Sequence, residues 1–276
     1  MKNLVLILLS LLFIIGCDRP KGFTLKKVTS SYPTEKCWDV QNDLSNEELT
    51  KLLEGPYHYL GSGNHTYAFE SPDRKAVIKF FKQKHMRVQS PLITVKTKKR
   101  RAKEREESFS SYKLAFERLR EETGLLYLHL NQTHHLNKKL TLLDQHGDKV
   151  IVNLDDMEFL IQKKATLAFD HLEKLFSEGA YDKALISIRS LFNLIAKRNM
   201  LGIYDRDLQF FKNFGFIDND AIEIDIGEFR LDQSIHTTYE ELHELSHQIK
   251  DFVNQKAPEF SPIANHVIDR DIESYR

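Results

Sequence analysis

Short runs of apolar residues lie between residues 57 and 161, and they predict β-strands. The runs cover residues 57–60, 67–69, 75–81, 140–143, 150–152 and 159–161. Turn sequences separate the first three runs, namely Gly61-Ser62-Gly63-Asn64 and Ser71-Pro72-Asp73. We therefore predict three consecutive antiparallel strands, with further strands after residue 139.

Two longer segments repeat apolar residues at the spacing of one helix face. The first, residues 101–130, places on that face Tyr112, Ala115, Phe116, Leu119 and Leu126. The second, residues 181–199, places there Leu185, Ile188, Leu191, Phe192 and Ile195. We predict a helix over each segment, and Gly202 ends the second.

A β-hairpin is predicted between residues 213 and 225. Its apolar positions alternate at Phe214, Phe216, Ile222 and Ile224, and Asp218-Asn219-Asp220 forms the turn. If the hairpin is centred on Asn219, Asn213 faces Asp225 at a Cα separation of about 5 Å. Asp205 and Asp207 arrive at the same end, so their oxygens predict a divalent-cation site, with solvated turn residues as the alternative.

The N-terminus has the pattern of an export signal. Lys2 precedes an apolar run, residues 4–15, which is too short for a spanning helix. Its end, Ile14-Ile15-Gly16-Cys17, resembles the bacterial lipobox, in which the cysteine is lipidated. The resemblance implies a signal peptide over residues 1–16, lipid on Cys17 and attachment to the extracytoplasmic side of the bacterial cell membrane. An uncleaved anchor is the alternative. The polar residues 17–54 indicate a tether.

Composition excludes some classes of protein. Of the 276 residues, 41% are hydrophobic and 28 are Phe or Tyr (18 and 10), so the chain can bury a core. Lys plus Arg and Asp plus Glu are 40 each, which argues against a surface built for nucleic acid. Residues 79–105 nevertheless hold eleven basic residues and one acidic residue, Glu104. The stretch 82–105 suits an anionic lipid or a phosphorylated ligand, or is a solvated loop.

Two features suit phosphate chemistry. Gly61-Ser62-Gly63, between two strands, can bring backbone N–H groups close to an anion. Lys79 ends the apolar run 76–78, so its ammonium should emerge beside that loop. Each feature alone is ordinary for a hairpin or a strand end. Followed by a helix and an Asp-Asn-Asp set, they form the sequence of groups that phosphoryl transfer needs.

This order of motifs resembles the protein-kinase-like superfamily, over residues 55–230. Gly61, Ser62 and Gly63 resemble its glycine-rich loop, with Thr66 where the third glycine is usual. Ala76-Val77-Ile78-Lys79 is similar to the strand that carries the phosphate-binding lysine. Asp205-Arg206-Asp207-Leu208 resembles the catalytic loop. Asn213 and Asp225-Ile226-Gly227 resemble the two magnesium-binding motifs.

The resemblance implies a fold and roles. The fold is α+β and two-lobed, with a small antiparallel β-sheet lobe over 55–165, which contains the basic insertion 82–105, and a shortened, mainly helical lobe over 166–276. Lys79 and the loop hold ATP phosphates, Glu122 pairs with Lys79, and Gln162 and Lys163 border the adenine. Asn213 and Asp225 hold Mg²⁺, and Asp207 orients the acceptor hydroxyl.

The chain departs from the superfamily pattern in two ways. Asp207 and Asn213 are six residues apart where five is usual, which leaves Asp205 as an alternative catalytic residue. Only 49 residues follow Gly227, and no Ala-Pro-Glu motif is present. We therefore expect a membrane-anchored phosphotransferase or, alternatively, a non-catalytic pseudokinase-like binding protein.

A third hypothesis comes from His243-Glu244-Leu245-Ser246-His247, which matches H-E-x-x-H. On a helix the two histidines share a face and could bind zinc, with Glu244 as the general base of a hydrolase. The alternative is an ordinary surface helix with Leu242, Leu245 and Ile249 as its core stripe.

Overall fold

The structure is a computed structural model that describes residues 22–85, 93–231 and 238–276. The predicted signal peptide, Cys17 and residues 86–92 of the basic stretch lie outside the described residues. Among the helices of the described part, none combines the length and the apolar character needed to cross a bilayer.

In the described ranges twelve strands are present. They are β1 Tyr57–Ser62, β2 Thr66–Glu70, β3 Ala76–Phe81, β4 Leu125–His129, β5 Lys139–Leu143, β6 Lys149–Asn153, β7 Phe159–Lys163, β8 Thr166–Leu167, β9 Ile203–Asp205, β10 Phe214–Ile217, β11 Asp220–Glu223 and β12 Phe229–Leu231. All the strand runs predicted from the alternating pattern are confirmed.

The α-helices of the same ranges are α1 Leu25–Val28, α2 Asn46–Leu52, α3 Val95–Arg118, α4 Arg120–Thr123, α5 Ala168–Ser177, α6 Tyr181–Met200, α7 Phe210–Asn213, α8 Thr238–Lys256 and α9 Ser261–Glu273. The predicted helix over residues 181–199 is confirmed as α6. Its buried face carries Ile188, Leu191, Phe192 and Ile195.

The fold class is confirmed as α+β with two lobes. In the small lobe the strand order is β4-β7-β3-β2-β1-β5-β6, and every neighbouring pair is antiparallel except β1 with β5. The large lobe is mainly helical and contains the hairpin β10–β11, which β8 extends. The chain reaches the large lobe directly after β7, where β8 pairs with β10 of the hairpin.

Apolar burial fills each lobe and the space between them. The large-lobe core joins α5, α6, α8 and α9 to the hairpin. A second cluster covers the outer face of the small-lobe sheet. The third cluster packs α3 residues such as Phe109 and Phe116 against Leu128 and Leu160 of the sheet and also against Ile226 and Phe229 of the large lobe. Helix α3 therefore connects the sheet with the segment that follows the hairpin.

The predicted helix over residues 101–130 is wrong at both ends. Helix α3 begins at Val95 and ends at Arg118, and Leu119 leaves the helical conformation. Gly124 then adopts the left-handed conformation, with φ of 63°, and closes the short helix α4. That conformation is readily available to glycine, so the chain reverses there and Leu126 lies in strand β4.

The hairpin forms, but its register differs by one residue from the prediction. Phe214 pairs with Glu223 and Ile217 with Asp220, so the centre lies between Asp218 and Asn219. Asp218 takes a φ of 56°, which aspartate tolerates in tight turns, and this permits a two-residue loop. In this register the partner of Asn213 is Ile224 rather than Asp225.

Residues 22–54 are packed against the small lobe, so the predicted tether is wrong for this part of the chain. Phe23 makes edge-to-face contacts with Tyr67 and Phe69 on the outer face of the sheet. Trp38 meets Phe109 of α3 in the same way. Sparse apolar residues without a clear period gave no signal for this packing.

Candidate functional site

Lys79 lies on the face of the sheet that looks toward the large lobe. Cross-strand pairing aligns Gly61 with Ala68, Ala68 with Lys79 and Lys79 with Leu160, so these residues share one face. The Lys79 ammonium donates a hydrogen bond to the Ile224 carbonyl at 2.6 Å. Burial lowers the pKa of Lys79, and the nearby Asp225 charge opposes this shift. The lysine therefore reaches the segment that carries Asp225.

The glycine loop connects β1 and β2 above this face. The Gly63 N–H donates to the Thr66 carbonyl at 3.1 Å, which closes the turn. A Cβ atom built on Gly61 or Gly63 would meet no atom within 4 Å, so both residues border open space. Behind the loop, the Lys82 ammonium donates to the Ser62 hydroxyl at 2.7 Å and also to the Gly63 carbonyl. Lys82 thus holds a loop whose open side is free for a ligand.

Asp205 and Asp207 occupy different environments. Asp205 ends strand β9 and is buried, and its Oδ1 accepts the Asp207 backbone N–H at 3.1 Å. The carboxylate of Asp207 is only partly buried and accepts the Gln209 side-chain N–H at 2.7 Å. Of the two aspartates, Asp207 is the one whose carboxylate a ligand can reach, while Asp205 supports the loop from below.

Asn213 and Asp225 come together despite the register difference. The Asn213 carbonyl accepts the Ile224 N–H at 2.6 Å and the Asp225 N–H at 3.4 Å. The Asn213 side-chain nitrogen donates to the Asp207 carbonyl. This bond commits the amide nitrogen and leaves the amide oxygen as an acceptor. Asp207, Asn213 and Asp225 are therefore bonded into one unit.

A cavity of about 280 Å³ lies between the glycine loop and this unit. Asn64 and His65 line it from the small lobe, and Asp207, Asp225 and Gly227 line it from the large lobe, together with Arg206 and Glu228. Its lining is predominantly polar. Backbone and imidazole groups of the small lobe thus face the carboxylates of Asp207, Asp225 and Glu228, which suits a ligand that carries both anionic groups and a cation.

A buried arginine cluster beneath the site was not predicted from the sequence. Arg198 of α6 is fully buried, with its Nε 3.2 Å from a Glu223 oxygen and its Nη2 2.9 Å from a Glu241 oxygen. It also donates to the Ile203 carbonyl at 3.4 Å, next to Asp205. The one sequence signal was Glu223 between Ile222 and Ile224, a charged residue within a strand that is buried.

Two carboxyl groups of this cluster have raised pKa values. Burial raises the pKa of Glu223 well above its usual value, and Arg198 opposes this shift. Burial also raises the pKa of Asp205, again against the attraction of Arg198. Asp205 Oδ2 and Glu223 Oε1 are buried and have no hydrogen-bond partner among the residues that the structure describes.

The structure gives the partners of Glu122, Gln162 and Lys163, three of the predicted nucleotide-site residues. The Glu122 carboxylate pairs with Lys197 of α6 and not with Lys79. Gln162 is buried, and its amide donates to the Thr123 carbonyl at 2.5 Å. The Lys163 backbone N–H donates to the Gly124 carbonyl at 2.8 Å and its side chain is exposed. The predicted Glu122–Lys79 pair is wrong because Glu122 belongs to the short helix α4 and not to α3.

Helix α3 contacts the site through a hydroxyl group. Ser111 is fully buried and donates to the Ile226 carbonyl. Its oxygen also accepts the Phe229 N–H at 2.7 Å. The Tyr112 ring lies 3.9 Å from the position that a Cβ atom would take on Gly227. These contacts fix the segment Asp225-Ile226-Gly227 against the small lobe, a role that no sequence pattern indicated.

The His243-Glu244-Leu245-Ser246-His247 motif lies on α8, away from the cavity. His243, Glu244 and His247 are exposed, whereas Leu245 and Ser246 are buried. The two imidazole rings meet edge to face, with 4.7 Å between centroids. Among the residues that the structure describes, no third His, Cys, Asp or Glu joins them to form a metal-binding group. The geometry favours the surface-helix interpretation.

Comparison with known proteins gives a limited result. No protein-family model and no curated protein matches the chain. Three solved structures of WbdD are similar to this chain, at 14%, 12% and 13% sequence identity and with TM-scores of 0.37, 0.35 and 0.34. The second of them is described as the bifunctional kinase-methyltransferase WbdD, and the third is a co-crystal with the kinase inhibitor LY294002. The matches cover 79%, 76% and 78% of this chain. They cover 46%, 43% and 45% of the WbdD chains, so this chain spans less than half of the length of WbdD. Such a likeness concerns the fold alone, and nothing about the activity of this chain follows from it.

Proposed function

We propose that this chain is a membrane-anchored lipoprotein whose kinase-like domain binds ATP with Mg²⁺ and transfers the γ-phosphoryl group. The observation that supports this most strongly is the cavity itself, in which Asn64 and His65, directly after Gly61-Ser62-Gly63, face Asp207 and Asp225 across the two lobes. Lys79 and Asn213 both bond to the residue that precedes Asp225, Ile224. The groups that would bind phosphate, bind the metal ion and orient the acceptor would therefore be neighbours.

The donor groups fit magnesium. Asp225 supplies a carboxylate, and Asn213 supplies an amide oxygen, because its nitrogen is committed to the Asp207 carbonyl. Carboxylate and amide oxygens are the ligands that Mg²⁺ takes in nucleotide sites, usually with waters and phosphate oxygens. When bound there, the ion would neutralise part of the charge of the phosphates.

Each of the other residues has a role in this proposal. Lys79 would exchange its hydrogen bond to the Ile224 carbonyl for one to a phosphate oxygen. The negative charge of the phosphate would stabilise the protonated form of Lys79, although burial lowers the pKa of this lysine. The N–H groups of the glycine loop would cover the phosphates. Asp207 would accept a hydrogen bond from the acceptor hydroxyl and hold its proton during transfer.

A non-catalytic binding protein is the second candidate, and one observation favours it. The Lys79 ammonium donates to a backbone carbonyl, while Glu122 is paired with Lys197. A lysine without a carboxylate from the neighbouring helix is less firmly positioned toward phosphates. In this alternative the cavity binds a nucleotide or another anion without turnover.

The two candidates are separated by ADP release from ATP in the presence of Mg²⁺. We expect Asp207→Asn to lower turnover by roughly 100-fold or more while nucleotide affinity stays within about two-fold, because general-base and orienting groups contribute about 10²–10⁴ in rate. Asp170→Asn, in exposed surface on α5, is the matched control. Binding of ATP without turnover by the wild-type protein would favour the second candidate. The absence of any ATP binding would exclude both nucleotide interpretations.

The membrane part of the proposal is tested independently. Cys17 should carry the lipid, and metabolic labelling with palmitate should mark the wild-type chain. Cys17→Ala should lose the label, whereas Cys37→Ala should keep it because Cys37 is an exposed, free thiol of the folded domain. Label that persists in Cys17→Ala would contradict the lipoprotein assignment.

A further inference from the structure

The first third of helix α3 carries an exposed row of basic side chains. Six of the nine residues from Val95 to Lys103 are Lys or Arg, and none of the nine is acidic. At about 100° per residue, Lys96, Lys99, Arg100 and Lys103 fall within one stripe about 100° wide. All four are exposed, and Arg100 and Lys103 keep 62% and 75% of their side-chain surface. We call these four residues the basic stripe.

The basic stripe lies on the solvent side of the helix. Further along α3, the buried residues Arg105, Phe109, Tyr112 and Phe116 occupy the opposite face, and the three aromatic rings belong to the apolar cluster between the lobes. In the segment 95–104, by contrast, every residue is exposed or half-buried. This end of α3 therefore extends into solvent, where a large partner can reach the stripe.

The four charges do not stabilise the helix on which they lie. Neighbours in the basic stripe are three or four positions apart, and like charges at this spacing repel each other. Positive side chains near a helix N-terminus also oppose the helix dipole, and the first turn of α3 contains no acidic residue that would offset them. The stripe is therefore better explained by a negatively charged partner, which would relieve the repulsion.

Acidic side chains of the same helix balance only part of this charge. Glu104 lies 2.6 Å from Arg100, and Glu107 lies 3.6 Å from Lys103 and also pairs with Arg230 at 3.5 Å. In both intrahelical pairs the basic residue precedes the acidic one, which is the weaker order on a helix. The two remaining lysines of the stripe form no salt bridge with any residue that the structure describes.

Residues 22–35 lead from the start of the described chain to the base of the basic stripe. The 3-10 turn Gln83–His85 contacts both α1 and α3. Beyond α1, Glu35 accepts a hydrogen bond at 2.9 Å from Arg105, two residues after the stripe. Five residues separate Gly22 from Cys17, and an extended chain of that length spans at most about 18 Å. A lipid on Cys17 would therefore keep the start of the described chain close to a bilayer surface.

We propose that the basic stripe docks on the anionic phospholipid surface of the bilayer to which the chain is attached. Its four side chains are spread over about 10 Å of helix, so an array of lipid phosphates can meet all of them, whereas one soluble phosphate cannot. Val95, at the end of the stripe, is 71% exposed and supplies an apolar group for the headgroup region. The lipid would attach the domain, and the stripe would determine which side faces the membrane. The choice of occupant rests on the proposed anchor, and the nucleotide site is not involved.

The test is sedimentation of the chain from Asp18 onward with vesicles, at about 0.1 M salt and without nucleotide. The residues of the three apolar clusters all lie at or after Phe23, so this chain retains them. We expect binding to phosphatidylcholine mixed with phosphatidylglycerol, weak binding to phosphatidylcholine alone, and loss of binding at about 1 M salt. Lys96→Gln combined with Lys99→Gln should lower the partition coefficient about 25-fold, since each lysine near an anionic surface contributes about 1 kcal/mol.

Two further variants make the test specific. Lys149→Gln with Lys183→Gln changes the net charge equally at exposed positions of β6, at the sheet edge opposite β4, and of α6, and it should change binding less than about two-fold. Lys96→Glu with Lys99→Glu should abolish binding to the anionic vesicles. Because acidic residues near a helix N-terminus suit its dipole, the midpoint of urea unfolding in this variant should be unchanged or higher, which separates lost binding from lost folding.

Several results would overturn the docking surface. They are equal binding to both kinds of vesicle, an equal loss in the Lys149/Lys183 variant, or binding that persists in Lys96→Glu with Lys99→Glu. Displacement from the vesicles by inorganic phosphate at constant ionic strength would also overturn it, because it would indicate a site for a soluble phosphate. The measurements use neither ATP nor the lipid on Cys17, so their failure is distinguishable from failure of the nucleotide proposal and of the lipoprotein assignment.

Discussion

At the scale of single residues, the buried Arg198 lies beneath the segment that carries Asp205 and Asp207 and stabilises it. It connects Glu223 at the end of β11, Glu241 of α8 and the Ile203 carbonyl in β9. Its guanidinium also lies 5.4 Å from the Phe229 ring. The aspartate that holds the Asp207 N–H, Asp205, belongs to the same cluster. The position of Asp207 therefore depends on the charge of Arg198, a buried residue that does not line the cavity.

Removal of this charge should be costly. We expect Arg198→Met to lower the free energy of unfolding by about 3–5 kcal/mol, because it leaves Glu223 and Glu241 buried without their partner. Arg189→Met is the control; it breaks an exposed pair with Asp271 and should cost less than about 1 kcal/mol. Urea unfolding followed by circular dichroism measures both. Equal costs for the two variants would contradict the assigned role.

Lys82 gives a pH-dependent prediction. Its folded-state pKa, about 8, lies below the ordinary lysine value of 10.5, so the unfolded chain binds more protons between these values. The stability of the wild-type protein relative to Lys82→Met should therefore increase as the pH rises from about 8 to about 10.5. Lys149→Met, at an exposed position, should show no such trend. A relative stability that falls over this range would contradict the lowered pKa.

At the scale of elements, helix α3 is the connection between the sheet and the segment 225–229. Ser111 bridges the Ile226 carbonyl and the Phe229 N–H, and Tyr112 packs beside Gly227. A helix that moves would carry the segment 225–229 with it. The coupling depends on a buried hydroxyl group and not on a charge pair.

We expect Ser111→Ala to lower the free energy of unfolding by about 1–3 kcal/mol, because it leaves the Phe229 N–H buried without an acceptor. Magnesium-dependent ATP affinity should fall as well, since Asp225 lies in the released segment. Ser110→Ala, on the exposed side of the same helix, should have neither effect. Unfolding and nucleotide titration of the two variants test this; unchanged ATP affinity in a folded Ser111→Ala protein would rule out the coupling.

The structure also pairs Glu122 with Lys197 and not with Lys79. Glu122→Ala breaks a pair whose Lys197 partner is mostly exposed, so it should cost less than about 1 kcal/mol and leave ATP affinity within about two-fold. Lys79→Met should lower ATP affinity at least ten-fold, since it removes a charge-assisted bond to phosphate. Isothermal titration measures both. Comparable losses in the two variants would restore the pair expected from the sequence.

These elements also show which features could be predicted from sequence. Alternation identified β1 to β3, and the apolar run before Lys79 predicted an ammonium that emerges beside the glycine loop. The hairpin was found because Phe214, Phe216 and Ile222 alternate, but its register depended on the conformation of Asp218, which composition does not reveal. The partner of Lys79 was mistaken because apolar spacing continued across Gly124, where the backbone reverses.

At the scale of the whole molecule, the chain places its polar groups where the two lobes meet. The third apolar cluster, which contains Phe109, Leu160 and Ile226, joins the lobes on one side of the cavity. Residues 22–54 add to the small lobe a layer that the sequence did not predict, since Phe23 and Trp38 are isolated among polar residues. Arg198 was missed for the same reason: long-range contacts, not local pattern, decide its burial.

The central claim is that Lys79, Asn213 and Asp225 act with the glycine loop as one site for ATP and Mg²⁺. The most direct measurement is the ATP affinity of the wild-type protein and of Asp225→Asn, each with and without Mg²⁺, with Asp182→Asn at an exposed position of α6 as the control. We expect Mg²⁺ to strengthen ATP binding at least ten-fold in the wild type and the control, and to have almost no effect in Asp225→Asn. Equal Mg²⁺ dependence in all three proteins, or no ATP binding by the wild type, would contradict the claim.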